Sequence, residues 1–279
     1  LWWLLACVSG IPRLVQWPLD TTAVLIALTL SAALAAWLAP RLRWSGLAHV
    51  AVLLMPLAWL LLPLGWRLGF NVASRLGWLA WPLVFVVHFW SLRRLPPWLD
   101  HRVQTVSHVL GAWLLIMLLS LELSYGLEQL SGYYNAWRWL GWAVFPALFL
   151  LLAASDRPWP LGSYPQAYRW WAAWLLAWVM LAWLWLASCV GEGSAEPLPY
   201  VPVVTPLGLG LLVMLYAMFI WARCFDSRLR SLRMRGPVAW KLAASGFAVL
   251  TAMVMRTAHH YAGLPYDLDA LLASMLVQA

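Results

Sequence analysis

The sequence predicts an all-α polytopic bundle of transmembrane helices, and three observations support that fold class. Of the 279 residues, 64% are hydrophobic and only 10% are charged, whereas soluble domains average about 25% charged residues. The chain contains 24 tryptophans, a residue enriched where one edge of a side chain is wet and the rest lies in lipid. Apolar runs long enough to cross a hydrocarbon core of about 30 Å recur along the chain. An ordinary water-soluble enzyme is therefore excluded.

Eight apolar segments, each bounded by Pro, Gly or Arg clusters, are predicted to form membrane spans. They cover residues 21–39, 47–64, 76–92, 106–123, 137–154, 170–190, 207–225 and 238–258. The breaks between them are short, so residues 1–279 are expected to form a single transmembrane helical domain. Because Leu1 lies within an apolar stretch and a helix begins near Leu268, we expect partial helices at both ends, cut from a longer protein.

Four prolines inside these spans each remove a backbone N–H and are predicted to kink their helices, for packing or as a hinge. They are Pro56 and Pro63 in the second span, Pro82 in the third and Pro146 in the fifth.

The sixth span carries a tryptophan stripe, because helical geometry places Trp170, Trp174, Trp178 and Trp185 on one side. Such a stripe could stack on a sugar or an isoprenoid-like ligand. It could equally face lipid or fill gaps between helices.

The basic residues predict how the chain is oriented. Thirteen of the eighteen lysines and arginines follow odd-numbered spans and five lie on the opposite side, and short loops rich in basic residues stay in the cytoplasm. Segments 9–20, 124–136, 191–206 and 259–267 are therefore predicted to lie outside. The net charge of +8 is scattered among short loops, which favours membrane lipids over nucleic acid as partners. The preference for Arg over Lys, with abundant Ala, Leu and Trp, suggests a GC-rich bacterial genome.

No cofactor or metal site is predicted. Cys7, Cys189 and Cys224 lie far apart and form no C-x-x-C pair, and no phosphate-binding loop or nucleophile elbow occurs. His88, deep in the third span, is interpreted as a neutral histidine bonded to a backbone carbonyl or a serine, and His108 as an interfacial residue.

The densest polar cluster lies at the end of the eighth span. If that helix continues to Ala262, Arg256 and His260 stack on one face, with His259 three residues from Arg256. Gly263 is then predicted to end the helix in a left-handed conformation. Adjacent histidines point about 100° apart on a helix, which disfavours metal chelation.

Two interpretations of this cluster stay open. In one, His259 and His260 are catalytic groups that transfer a proton, and the neighbouring side chains bind an anion such as a phosphate or carboxylate. The predicted substrate-binding residues are Arg256, Tyr261, Asp267 and Asp269. In the other, an arginine–aspartate ion pair joins two helix ends, as helix dipoles favour, and the cluster is structural.

Two segments resemble a family of large bacterial polytopic membrane proteins defined by a domain of unknown function. Residues 256–272, RTAHHYAGLPYDLDALL, are similar to its R-T-x-H-H-[WY]-x-G-[VL]-P segment. Residues 200–209, YVPVVTPLGL, are similar to its Y-[LV]-P-[LV]-[LV]-N-P-L-D-L segment, with Thr205 and Gly208 in place of the Asn and Asp. The resemblance implies an integral inner-membrane protein and assigns no activity.

Two functions are consistent with these observations. The first is a carrier or transferase for an anionic or lipid-linked cell-envelope substrate, with a polar site that faces the periplasm. The second is a structural or assembly subunit whose Trp-rich spans bind other membrane proteins and which has no catalytic activity. A proton or ion channel ranks below both, because it needs a continuous polar path and only His88 lies near the middle of a span.

Overall fold

The fold is seen in a computed structural model that describes residues 6, 9–11, 20–67, 71–132, 136–155, 159–263 and 266. These residues form helices joined by turns and contain no strand, which confirms the predicted all-α class. The C-terminal segment with Asp267 and Asp269, where a partial helix is expected, lies outside the described residues, as does most of the N-terminal one.

The helices follow the predicted apolar segments along the chain. They are α1 (Asp20–Leu42), α2 (Ser45–Val52), α3 (Leu54–Arg67), α4 (Gly77–Arg94), α5 (His101–Ser131), α6 (Trp137–Ala154), α7 (Ala173–Val190), α8 (Pro206–Cys224), α9 (Asp226–Ser231) and α10 (Arg235–Ala262). A 3-10 turn at Pro96–Trp98 precedes α5, and a π-helical segment, Gln166–Ala172, leads into α7.

Seven helical stretches within the described residues are long and apolar enough to cross a membrane. They are Thr21–Leu42, Ser45–Pro63, His101–Ser131, Trp137–Ala154, Gln166–Val190, Pro206–Cys224 and Arg235–Ala262. The remaining predicted span, 76–92, forms α4 but is not among them. Helix α4 has only 18 residues, and His88, Arg93 and Arg94 lower the mean hydropathy of the helix. It is therefore less apolar than the seven membrane-length stretches.

The second predicted span is a broken helix. Helix α2 ends at Val52 and α3 begins at Leu54, and Pro56 lies in the first turn of α3. Because Pro56 has no N–H, it cannot bond the carbonyl of Val52, and the helix gives way there. The N–H of Leu53 is shared between its i−4 carbonyl, His49 O, and Val50 O, both at 3.3 Å. The interruption at Leu53 thus coincides with Pro56, while a kink at any of the four prolines stays a prediction.

The helices pack into two compact units, formed by residues 1–118 with 166–168 and by residues 119–165 with 169–279. In the first unit, small side chains of α1 and α2 pack against leucines at and after the end of α4. This core consists of Ala35, Ala36, Ala39, Ala48, Ala51, Val52, Leu92, Leu95 and Leu99. Alanine allows helix backbones to approach closely, as is common between membrane helices.

The second unit is built on close helix contacts. A Cβ placed on Gly210 of α8 would lie 3.3 Å from Ala143 Cβ of α6. A Cβ on Gly141 of α6 would lie 2.5 Å from Ser124 Cα of α5, so there the two backbones touch. Helix α10 packs on α7 and α8, and this packing brings the end of α10 against the segment that follows α7.

Candidate functional site

Helix α10 ends as the sequence predicts. It continues to Ala262, and Gly263 adopts a left-handed conformation with φ +67°, which glycine tolerates at little cost. The N–H of Gly263 bonds to His259 O at 3.1 Å. This geometry places the predicted residues Arg256, His259 and His260 in the last two turns of one helix.

The guanidinium of Arg256 binds the C-terminal end of α7. Its Nε donates to Gly191 O at 2.7 Å, and its Nη2 donates to Ala187 O at 3.0 Å and Ser188 O at 3.2 Å. Carbonyls at a helix C-terminus lack helical partners and lie at the negative end of the helix dipole. A cation there stabilises α7, and Arg256 thereby joins α10 to α7.

This guanidinium is buried without a full set of partners. Only 1% of Arg256 is exposed, and its Nη1 has no hydrogen-bond partner among the described residues. Within the same part of the chain, no carboxylate forms an ion pair with it. Asp267 and Asp269, the predicted anionic partners, lie outside the described residues, so the ion-pair interpretation stays a prediction.

Tyr266 completes the surroundings of Arg256. Its hydroxyl donates to Ser188 O at 3.0 Å. Burial raises the pKa of the Tyr266 phenol, and the nearby positive charge of Arg256 opposes that rise. The phenol is therefore neutral at pH 7 and acts as a hydrogen-bond donor.

His260 is held by stacking and by a backbone hydrogen bond. Its ring lies 4.0 Å from the ring of Tyr200, centroid to centroid, with 18° between the planes. Its Nε2 lies 3.1 Å from Glu192 O. When Nε2 carries the hydrogen and donates to that carbonyl, Nδ1 of the neutral ring is the acceptor nitrogen. The Tyr261 hydroxyl donates to Tyr200 O at 3.2 Å, so both side chains contact the same residue.

His259 lies edge-on to its neighbours. Its ring centroid is 4.9 Å from that of His260 and 5.7 Å from that of Tyr266. Both histidines are half-buried, so they are accessible to a ligand while their orientation is restricted. In the described part of the chain no group of three or more His, Cys, Asp or Glu side chains could hold a metal.

The loop after α7 is held between two helix ends. On one side Ala136 N–H donates to Ser194 O at 2.8 Å and Trp137 Nε1 donates to Ala195 O at 3.3 Å. On the other side Gly193, with φ +83°, packs on Arg256: a Cβ on Gly193 would lie 3.0 Å from Arg256 Cδ. The positive φ therefore favours glycine at this position, and a larger residue would also require Arg256 to shift.

The segment 200–209 leads into α8 and contacts the end of α10. Thr205 is the N-cap of α8, and its Oγ1 accepts a hydrogen bond from Gly208 N at 3.0 Å. Asn ranks somewhat above Thr as an N-cap residue, so a side chain that can cap the helix stands at this position in both sequences. Tyr200 stacks on His260. The two segments that resemble one family thus contact each other.

Sequence reasoning missed a buried polar cluster in the first unit. His88 Nε2 lies 3.2 Å from Ser107 O, which confirms its interpretation as a histidine bonded to a carbonyl. His108, predicted to be interfacial, is buried among side chains: it is 0% exposed, and its Nδ1 lies 2.8 Å from the Tyr168 hydroxyl. Gly111 makes room, since a Cβ there would lie 2.5 Å from His88 Nε2. The sequence held one signal of this cluster: Ser107 and Gly111 are four residues apart and therefore lie on one face of α5, the face that meets His88.

The tryptophan stripe packs largely within the second unit. The ring centroid of Trp170 lies 5.1 Å from that of Trp174 and 6.2 Å from that of Trp221 on α8. Trp185 donates from Nε1 to Ser245 Oγ on α10 at 3.0 Å. Trp170 and Trp174 fill space between helices, the second of the two predicted roles, whereas 44% of Trp185 is exposed. Their contacts with one another and with α8 and α10 do not require a ligand.

A comparison with protein families agrees with this architecture, and two other comparisons find no match. No curated protein and no solved structure matches the chain. The family described as "Predicted membrane protein (DUF2339)" matches residues 1–279, and the seven membrane-length helices accord with that description. The match confirms the predicted family, a membrane-protein family of unknown function. The chain therefore belongs to the DUF2339 family of predicted membrane proteins.

Proposed function

We propose that this membrane protein is a carrier or transferase for an anionic, lipid-linked substrate of the bacterial cell envelope. The proposed site is the end of α10 together with the loop after α7, and it faces the periplasm of the inner membrane. Arg256, Tyr261, Asp267 and Asp269 bind the substrate, and His259 and His260 transfer a proton. The sidedness rests on the distribution of basic residues between alternate loops.

The observation that carries the proposal is the incomplete set of partners around Arg256. Isolated buried charges are costly and are normally paired. Three backbone carbonyls accept from this guanidinium, but they carry only partial charges, and Nη1 has no partner among the described residues. A phosphate or carboxylate at Nη1 would supply the missing negative charge, and arginine binds both groups well.

The half-buried rings beside Arg256 supply a group that can exchange protons. The hydrogen bond from His260 Nε2 to Glu192 O leaves Nδ1 of the neutral ring able to accept a proton from a substrate hydroxyl. Stacking on Tyr200 restricts the rotation of this ring. A general base held in one orientation is what a transfer reaction needs.

Binding of a polyprenyl phosphate tests the proposal. The full chain would be placed in nanodiscs of phosphatidylcholine and titrated with a polyprenyl phosphate or with the corresponding polyprenol. We expect the phosphate to bind and the alcohol to bind far more weakly. A phosphate beside His260 favours the protonated ring, in which Nδ1 donates to the phosphate while Nε2 keeps its bond to Glu192 O. His260→Gln should therefore weaken phosphate binding about tenfold, the equivalent of one lost hydrogen bond to a charged group.

A matched control is His49→Gln, since His49 is exposed and belongs to the other unit. This variant should bind the phosphate like the unaltered protein. Equal binding of phosphate and alcohol, or an unchanged affinity in His260→Gln, would contradict the proposed site.

The alternative function is a structural or assembly subunit without catalytic activity. It is favoured by the three hydrogen bonds from Arg256 to backbone carbonyls of α7 and the residue that follows it, because they show that the side chain already has a structural role. On this alternative, His260→Gln alters the yield of a larger membrane complex after gentle solubilisation and leaves polyprenyl phosphate binding unchanged.

A further inference from the structure

We propose that the groove between α8 and α10 binds an anionic phospholipid at the membrane end opposite to the site around Arg256. The groove has a volume of about 620 Å³, which falls within the range of small-molecule sites, about 300–1,000 Å³. It lies entirely within the second unit. The proposal is independent of the proposed function, because it involves none of the same residues.

The walls of the groove are apolar and suit a lipid chain. Helix α8 contributes Leu215, Tyr216 and Phe219, and α10 contributes Ala239 and Ala243. The rings of Tyr216 and Phe219 are exposed, Phe219 by 47%. The two alanines lie one helical turn apart and are exposed, so their small side chains keep this face of α10 open. Side chains of this kind are suited to acyl chains and offer few groups to a polar ligand.

The length of the groove matches one leaflet of a bilayer. Its lining runs from Leu212 to Arg223 along α8, and eleven helical steps of about 1.5 Å span about 16 Å. A bilayer hydrocarbon core is about 30 Å thick, so the groove covers about half of it. A single phospholipid has its acyl chains within one such half, with its headgroup at the surface.

The mouth of the groove is positively charged. Arg223 and Arg235 lie at the end where α8 finishes and α10 begins. Asp226 is the acidic residue there, and it is already bonded by two arginines, from Arg230 Nη2 at 2.5 Å and Arg235 Nε at 2.8 Å. Arg223 is exposed and forms no ion pair within the described ranges. Positive charge therefore remains available for a headgroup phosphate.

The surrounding sequence reinforces this charge. Between residues 223 and 241 there are six basic residues and one acidic residue. Basic residues at a membrane surface attract anionic lipids, and basic pockets between transmembrane helices bind their headgroups. A neighbouring apolar helix would fill the walls of the groove but would not satisfy the arginines at its mouth. The charge therefore favours an anionic lipid as the occupant.

Native mass spectrometry of the full chain in detergent tests the proposal. The delipidated protein would be titrated separately with phosphatidylglycerol and phosphatidylcholine. We expect phosphatidylglycerol to bind more tightly, because only its headgroup carries a net negative charge. Arg223→Gln should weaken phosphatidylglycerol binding about fivefold, the effect of one basic residue near the surface. Ala243→Phe should also weaken it, because the ring fills the groove without changing the charge.

Arg102→Gln is the matched control, because Arg102 is an exposed arginine of the other unit, and it should bind phosphatidylglycerol normally. Equal binding of the two lipids by the unaltered protein would overturn the proposal, as would unchanged binding in either groove variant. Displacement of phosphatidylglycerol by soluble glycerol phosphate would also overturn it, since the ligand would then be a free phosphate.

Discussion

Replacing Arg256 by Met tests how much the end of α10 depends on its buried cation. The three carbonyls that accept from the guanidinium are not affected equally. Ala187 O still accepts from Gly191 N at 3.1 Å, and Ser188 O still accepts from the Tyr266 hydroxyl at 3.0 Å. Gly191 O has no other partner in the part of the chain that the structure describes. The substitution therefore leaves one acceptor without a donor.

The expected loss of stability follows from these contacts. A buried acceptor left without a donor costs about 1–3 kcal/mol, and a lost cation at a helix C-terminus costs up to about 2 kcal/mol. Removing a buried charge also removes its desolvation penalty, which offsets part of the loss. We therefore expect Arg256→Met to lower the free energy of unfolding by about 2–3 kcal/mol. Arg256→Lys should lose less, because the charge is kept while the geometry of the three bonds is not.

Unfolding in mixed micelles, followed by circular dichroism as the fraction of SDS is raised, measures this difference. The matched control is Arg102→Met at an exposed position, for which a change within about 0.5 kcal/mol is expected. If Arg256→Met proves as stable as the unaltered protein, the hydrogen bonds to α7 contribute nothing net. The argument that Arg256 joins the two helices would then fail.

Three further predictions concern packing, capping and orientation. Gly141→Ala should destabilise the protein by about 1–3 kcal/mol in the same unfolding assay, because the new Cβ would lie 2.5 Å from Ser124 Cα. Gly126→Ala should be neutral or stabilising, because no atom lies within 4 Å of its new Cβ. Thr205→Ala should cost about 1 kcal/mol through loss of the N-cap of α8, and Thr205→Asn should restore it. A reporter fused near Ser231 should be cytoplasmic and one near Glu196 external, as measured by alkaline phosphatase and fluorescent fusions; the reverse pattern contradicts the predicted topology.

Local features of the site were predictable because they depend on neighbours in sequence. The end of α10 at Ala262 and the left-handed Gly263 follow from helix-ending signals in a short segment. The shared face of Arg256 and His260 follows from helical periodicity. The break at Leu53 likewise follows from a proline three residues later.

Hydropathy also located the helices, although α4 shows the limit of that signal. A helix buried by its neighbours need not be uniformly apolar, and α4 carries His88 because Ser107 and Gly111 of α5 accommodate it. The burial of His108 was not predicted, for a related reason. Its partner, the Tyr168 hydroxyl, belongs to a π-helical segment 60 residues away, and no local pattern links the two residues.

The sequence by itself determined that this protein is an all-α membrane protein and which of its few polar residues lie together at the end of α10. Composition and periodicity suffice for this, because lipid requires apolar helices whose backbone bonds are internal. Only the tertiary structure decided that Arg256 binds the carbonyls of Ala187, Ser188 and Gly191 and that His260 stacks on Tyr200. The order of side chains along the chain does not indicate which backbone carbonyls a buried cation will bind. Residues 60 to 69 positions apart meet only when α10 packs on α7 and the loop after it.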